Sequence, residues 1–411
     1  MLSDSESHAP ISPLHLAAYH GHCGALEVLL SFLLDVDVRS PEGCTPLILA
    51  CSRGHQECVS LLLHHGASPM TRDYIHQQTA IHTAAMNGHP ECLRLLLNNN
   101  DQHIDVDAQD SNGQTPLMLA VLSGHTDCVY SLLSQGASVE NQDRWGRTAL
   151  HRGAVTGQEE CVEALLQRGA SVSVKDIRGR SALHLASASG RVGALGALLQ
   201  ATSTSHSHTH LTDSKGYTPL HWACYNEVMV SGAKADLALQ DADRNTALHL
   251  ACSKGHETSA LLILEKISDR NLINCTNAAL QTPLHVAARK GLTVVVQELL
   301  VKGASVLAVD ENGYTPALAC APNRDVADCL ALILNSMMPT SPMVTIAALP
   351  TLSLTQTVIN HHPISNHISK GVAFDTPAPL RPDHASYCRP ERLLSSVSGD
   401  DEMNDSDSET Y

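Results

Sequence analysis

The chain is poor in aromatic side chains: two Trp, two Phe and eight Tyr make up 3% of its 411 residues. That excludes a core built on large rings and suits helices packed through Ala and Leu. No apolar run approaches the roughly 20 residues that a helical bilayer crossing needs. The opening residues Ser3, Asp4 and Glu6 do not resemble a basic and then apolar leader. Membrane insertion and a signal peptide are therefore not expected. Basic residues are also scarce, with 26 against 42 acidic ones and a formal net charge of −16. That balance argues against nucleic acid as the main partner. The 13 cysteines contain no C-x-x-C pair. Motif patterns for phosphate loops, zinc hydrolases and serine nucleophiles (G-x-x-x-x-G-K-[ST], H-E-x-x-H, G-x-S-x-G) are missing. No enzyme, cofactor, metal site or small-molecule substrate is expected.

What the chain does contain is a repeat. The run Thr45 to Ala67 joins a capping threonine, Pro46, an apolar segment ending at Gly54, and a second segment with Val59, Leu62 and Leu63 ending at Gly66. The same start recurs at Ser12, Thr79, Thr115, Thr148, Ser181, Thr218, Thr246, Thr282 and Thr315, giving ten copies. The spacing from Ser12 to Thr45 is 33 residues, and it ranges elsewhere from 28 to 37. A period near 33 with T-P-L-H-x-A and a central G-H is the ankyrin signature. The predicted fold is an all-α solenoid of stacked helix–turn–helix units joined by hairpin loops.

Twelve of the 25 histidines follow this period. His15, His82, His151, His184, His221, His249 and His285 take the fourth place of the T-P-L-H motif. His22, His55, His89, His125 and His256 follow the helix-ending glycine. A catalytic residue need occur only once, so periodic histidines are structural, tying neighbouring repeats through the backbone. Cys58, Cys92, Cys128 and Cys161 share one place in four consecutive repeats. Like points on stacked helices lie roughly 8–10 Å apart, too far for a disulfide or a shared metal. They read as small buried residues in a reducing compartment. His206, His208 and His210 alternate in a Ser/Thr-rich insertion without a fixed Cys or carboxylate partner, so a flexible loop is favoured over a metal site.

The predicted order is a frayed segment over 1–8, ten repeats over 9–338, and a disordered Ser/Thr/Pro-rich tail with an acidic end over 339–411. The first repeat, through Leu26, Leu29 and Leu30, has the composition of an interior one, which suggests the late part of a longer array. Repeat three carries an insertion at 98–103 that should bulge as a loop. Repeat six has Gly193 and Gly196 in its second helix, which should weaken it. Repeat seven is cut short near Glu227, with about two helical turns missing, and predicts a weak joint. The last helix is predicted over 326–335. In the tail, Ser398, Ser406 and Ser408 precede acidic residues and are candidate phosphorylation sites.

Positions that the repeat does not dictate are candidates for partner binding. At hairpin tips these are Tyr74, Arg144, Trp145, Arg178, Lys215 and Asp243. On first helices they include Tyr19, Arg53, Lys254, Arg289 and Lys290. Trp145, between Arg144 and Arg147, is the leading anchor, because Trp and Arg dominate interface hot spots.

Three stretches carry a narrower likeness: Leu272 to His285, Val306 to Asn323 and Asn404 to Tyr411. They resemble the regulatory ankyrin repeat subunits of serine/threonine-protein phosphatase 6. That resemblance implies a non-catalytic array that joins the phosphatase 6 catalytic subunit through SAPS-domain subunits and helps direct the enzyme to substrates. It also implies a cytoplasmic setting, with the nucleus as a second location. Many-repeat arrays are also asparaginyl-hydroxylated near the hairpin, and Asn274 is the candidate here. The chain departs from the family by lacking its N-terminal repeats and by the cut near Glu227. The alternative function is a generic ankyrin adaptor for membrane or cytoskeletal proteins, which is all the repeats license.

Overall fold

Each repeat begins by capping its own first helix. The computed structural model describes residues 12–32, 35–98, 104–203, 212–226, 236–320 and 326–338. Within them, Ser12, Thr45, Thr79, Thr115, Thr148, Ser181, Thr218, Thr246 and Thr282 all occupy the N-cap with extended backbone. In the tenth repeat Thr315 accepts the Leu318 N–H. In the six later repeats whose fourth place is histidine, its Nδ1 accepts the N–H of the capping residue, as at Thr79 and His82 (3.2 Å) or Thr148 and His151 (3.2 Å). Histidine thus fills the role that Glu or Gln plays in a capping box.

The inner helices, Pro13–His20, Pro46–Arg53, Ala80–Met86, Pro116–Ser123, Ala149–Thr156, Ala182–Ser189, Pro219–Tyr225, Ala247–Lys254, Pro283–Lys290 and Pro316–Cys320, each pack against the next without a break. Their small inward residues, among them Ala50, Ala84, Ala120, Ala186 and Ala251, are fully buried. This close helix contact is what the shortage of aromatics permits. The outer helices form a second row: Cys23–Phe32, Gln56–His64, Pro90–Leu97, Thr126–Ser134, Glu159–Gln167 and Val192–Ser203, then Glu257–Lys266, Thr293–Val301 and Ala327–Met337. Cys58, Cys92, Cys128 and Cys161 are buried between the rows as free thiols. Among the described residues there is no β-strand, only an isolated bridge between Gln240 and Thr246.

The two rows differ at repeat seven. Its inner helix stays in line between those of repeats six and eight, but no outer helix accompanies it among the described residues. Residues 227–235, where the sequence predicts the weak joint, lie outside the described set. So do most of the insertion at 98–103, the alternating histidines 206–210 and all of the tail over 339–411, including Ser398, Ser406 and Ser408. The outer helix of repeat six runs unbroken through Gly193 and Gly196. A side chain at Gly193 would meet the carboxylate of the exposed Glu159 in the preceding repeat. The last helix extends to Met337, slightly past its predicted end. The chain divides into a unit over Met1–Met337 and a second over Met338–Tyr411.

Candidate protein-binding face

The hairpins are built by buried aspartates. Asp110 Oδ1 accepts the N–H groups of Asn112 and Gln114, both at 2.8 Å. Asp143 does the same for Trp145 and Arg147, and Asp176 for Arg178 and Arg180. These are Asx-type turns, and each falls on a D-x-x-G of the sequence: 110–113, 143–146 and 176–179. Each tip then bonds to the one before it. The Arg144 N–H donates to the Asn112 carbonyl, Ile177 to Trp145, Ser214 to Arg178 and Ala242 to Lys215, all at 3.0 Å. The tips therefore form a continuous ladder, with Arg144, Trp145, Arg178 and Lys215 in three successive rungs.

Trp145 is 38% exposed. Its ring lies under the Arg152 guanidinium, whose carbon sits 5.7 Å from the ring centroid. Arg152 is only 6% exposed and donates from Nη2 to Asp143 Oδ2 at 2.5 Å. The carboxylate that holds the turn thus also anchors the arginine that backs the tryptophan. Arg180 makes the corresponding bonds to Asp176 Oδ2 at 3.0 Å through Nε and 2.9 Å through Nη2. Arg147 reaches the same oxygen at 4.0 Å. Burial, together with the charges of Arg152 and Arg180, pushes the Arg147 guanidinium below its ordinary pKa. Arg152 Nε and Arg180 Nη1 are buried with no hydrogen-bond partner. Around two aspartates the structure therefore gathers Arg144, Arg147, Arg152, Arg178 and Arg180. Arg144 and Arg178 are exposed and make no ion pair among the described residues.

The other candidate residues are scattered. Tyr74 is exposed at its hairpin tip, with Arg39 5.1 Å above its ring. Arg53 lies 4.3 Å over Tyr19 of the preceding repeat, which ties it to a joint. Arg289 and Lys290 are exposed at the end of their inner helix, four repeats from Trp145. Asn274 bridges repeats, donating to the Gly303 carbonyl and accepting from Ser305 N–H at 2.7 Å. Sequence reasoning missed Arg152. The signal was an arginine where most repeats place an aliphatic residue after the histidine. Trp222 stands at the same place in repeat seven, and its indole N–H likewise reaches the hairpin carboxylate, Asp213 Oδ2 at 3.0 Å.

The periodic histidines sit elsewhere. In six of them Nδ1 accepts the backbone N–H of the capping residue, so Nε2 carries the proton and donates to the next repeat, while His15 Nδ1 meets the Ser12 hydroxyl at 2.7 Å. His15 reaches the Cys44 carbonyl, His82 Gln114, His151 Arg180, His184 Tyr217, His221 Asn245, His249 Gln281 and His285 Tyr314, at 3.0 to 3.2 Å. Among the described residues no group of three or more His, Cys, Asp or Glu is placed to hold a metal ion. No described helix is long and apolar enough to cross a membrane.

The family model "Ankyrin repeats (3 copies)" matches this chain in overlapping stretches from residue 3 to residue 310. Human transient receptor potential cation channel subfamily A member 1 is 38% identical over 110 residues, 25% of this chain and 10% of that protein. The probable E3 ubiquitin-protein ligase XBOS32 of Oryza sativa subsp. japonica is 33% identical over 155 residues, 31% of each chain. The chain thus spans a third or less of these curated relatives. Among solved structures, the ankyrin repeat domain of Bcl-3 aligns at 28% identity with a TM-score of 0.46, over 62% of this chain and 98% of that one. The array is a protein-interaction scaffold in the coarse sense that its repeats convey. By its repeats, by the match over residues 3–310 and by the two rows of stacked helices, the chain belongs to the ankyrin repeat proteins.

Proposed function

We propose that this chain is a non-catalytic scaffold whose hairpin tips in repeats five to seven hold an acidic segment of a partner protein. The observation that supports this reading is the surplus of arginine around the half-exposed Trp145, in a chain whose net charge is −16. An acidic side chain docking there would meet the uncompensated charge of Arg144 and Arg178, and the indole offers a flat apolar anchor. The partner complex we propose is protein phosphatase 6, with the chain as one of its regulatory ankyrin repeat subunits. That assignment rests on the three stretches 272–285, 306–323 and 404–411.

Affinity purification of the tagged full chain from cells tests both parts. The expected result is recovery of the phosphatase 6 catalytic subunit with SAPS-domain subunits, and its loss at least tenfold with Trp145→Ala combined with Arg178→Glu. Recovery of membrane or cytoskeletal proteins without phosphatase subunits would support the generic adaptor instead. Unchanged recovery by the double variant would move the binding face away from these tips.

A further inference from the structure

The stacking of outer helices brings two thiols together. Cys23 is the first residue of the outer helix Cys23–Phe32, and Cys58 lies in the first turn of Gln56–His64. Their Sγ atoms are 3.0 Å apart. Both are free thiols, Cys23 partly exposed and Cys58 buried. The stacking register dictates this contact. Thr126, at the place of Cys23 in its own repeat, meets Cys161 of the next repeat at 3.8 Å. Thr293, likewise at that place, meets Cys329 at 3.6 Å. At the first joint alone among these, cysteine occupies both places. Helix spacing of roughly 8–10 Å is expected to hold like positions such as Cys92 and Cys128 apart, whereas this offset pair meets at 3.0 Å.

We propose that Cys23 and Cys58 form a modification site at which a small-molecule disulfide oxidises the pair to a cross-link between repeats one and two. The accessible Cys23 gives its proton to solvent and attacks one sulfur of glutathione disulfide. That S–S bond breaks and one glutathione leaves as thiolate. Cys58 then loses its proton, attacks the Cys23 sulfur and expels the second glutathione. Two protein thiols are oxidised, and one external disulfide is reduced to two thiols. Burial, reinforced by the Cys23 contact, pushes the Cys58 thiol up to about 12, so Cys58 is the resolving sulfur and Cys23 the attacking one. Closing the gap from 3.0 Å to the ~2.05 Å of a disulfide takes about an ångström of movement. The bond would enclose the 35-residue separation of the two cysteines and fasten the first repeat to the second.

The test uses the full chain treated with glutathione disulfide, alkylated, digested without reduction and read by mass spectrometry. A peptide joining Cys23 to Cys58 is expected, together with its disappearance on dithiothreitol treatment and the absence of a Cys92–Cys128 product. Amide exchange in the helices Cys23–Phe32 and Gln56–His64 should slow about tenfold on oxidation, as loop closure requires. Cys23→Ser should abolish the linked peptide and leave Cys58 without an adduct. Cys58→Ser should instead trap glutathione on Cys23. A stable glutathione adduct on Cys23 of the native chain with no linked peptide would overturn the proposal. So would a cross-link that forms only in denaturant.

Discussion

At the scale of single residues, the T-P-L-H histidine is a neutral strut. Its Nδ1 faces donors and its Nε2 proton is spent on the neighbouring carbonyl, so a second proton has nowhere favourable to go. Burial holds His184 and His249 down to about 4, against a backbone bond that pulls the other way. His82, His151, His221 and His285 are lowered by the same cause. A folded pKa below the unfolded 6.5 means the unfolded chain binds protons first. The stabilisation is therefore complete above pH 6.5 and is lost as pH falls toward 4, by roughly 3 kcal/mol for each of His184 and His249. Urea midpoints at pH 7, 5.5 and 4.5 are expected to fall steeply. A flat profile would contradict the assignment of neutral imidazoles. Arg152 is the second residue whose removal should be felt. Arg152→Met leaves Asp143 buried without its cation, at a cost of about 3 kcal/mol. The same change uncovers Trp145, so red-shifted fluorescence should accompany the lower urea midpoint.

At the scale of the element, the hairpin is the part where this chain departs from its own rule. In repeats two to ten the residue two before the capping Thr or Ser has a positive φ, and most of these repeats place glycine there, as at Gly146 with φ 72. Repeats three, eight and nine instead carry Gln77, Arg244 and Leu280, at φ 56, 62 and 58. Left-handed backbone costs an L-residue roughly 1–2 kcal/mol, part of which glycine returns as entropy. Leu280→Gly is therefore expected to stabilise the array by about 0.5–1 kcal/mol, since Leu280 is 46% exposed and gives up little packing. Gly146→Ala should destabilise it, because the added carbon meets the Ile177 nitrogen at 3.2 Å in addition to the strain. Chemical denaturation of the two variants checks both signs. Helix starts, caps and turn aspartates were legible in the sequence, because each follows from local backbone chemistry repeated ten times. The Arg152–Asp143–Trp145 group was not, because it depends on how a helix side chain folds back over its own hairpin. The Cys23–Cys58 contact was hidden for a related reason: a period compares like places, while stacked helices touch at offset ones.

At the scale of the whole array, repeat seven sets the mechanics. Among the described residues its inner helix, Pro219–Tyr225, is held by neighbours in one row only, where other inner helices are backed by an outer helix of their own repeat. Stability in such arrays is a sum of unit and joint contributions, so cooperativity should weaken here first. Hydrogen exchange is expected to be faster in Pro219–Tyr225 than in Ala149–Thr156, with unfolding of repeats one to six separable from that of eight to ten. Equal protection of the two helices would rule out a soft joint. Yet the seam itself is intact. His221 meets the Asn245 carbonyl at 3.1 Å across 24 residues, as His184 meets Tyr217 at 3.1 Å across 33. The bond senses only the two ends that meet, whatever length of chain runs between them. Genetic material between two such meeting points can be cut out or duplicated while the remaining neighbours still recognise each other, so a lineage can edit this protein's reach by whole steps or ragged ones and keep a foldable product.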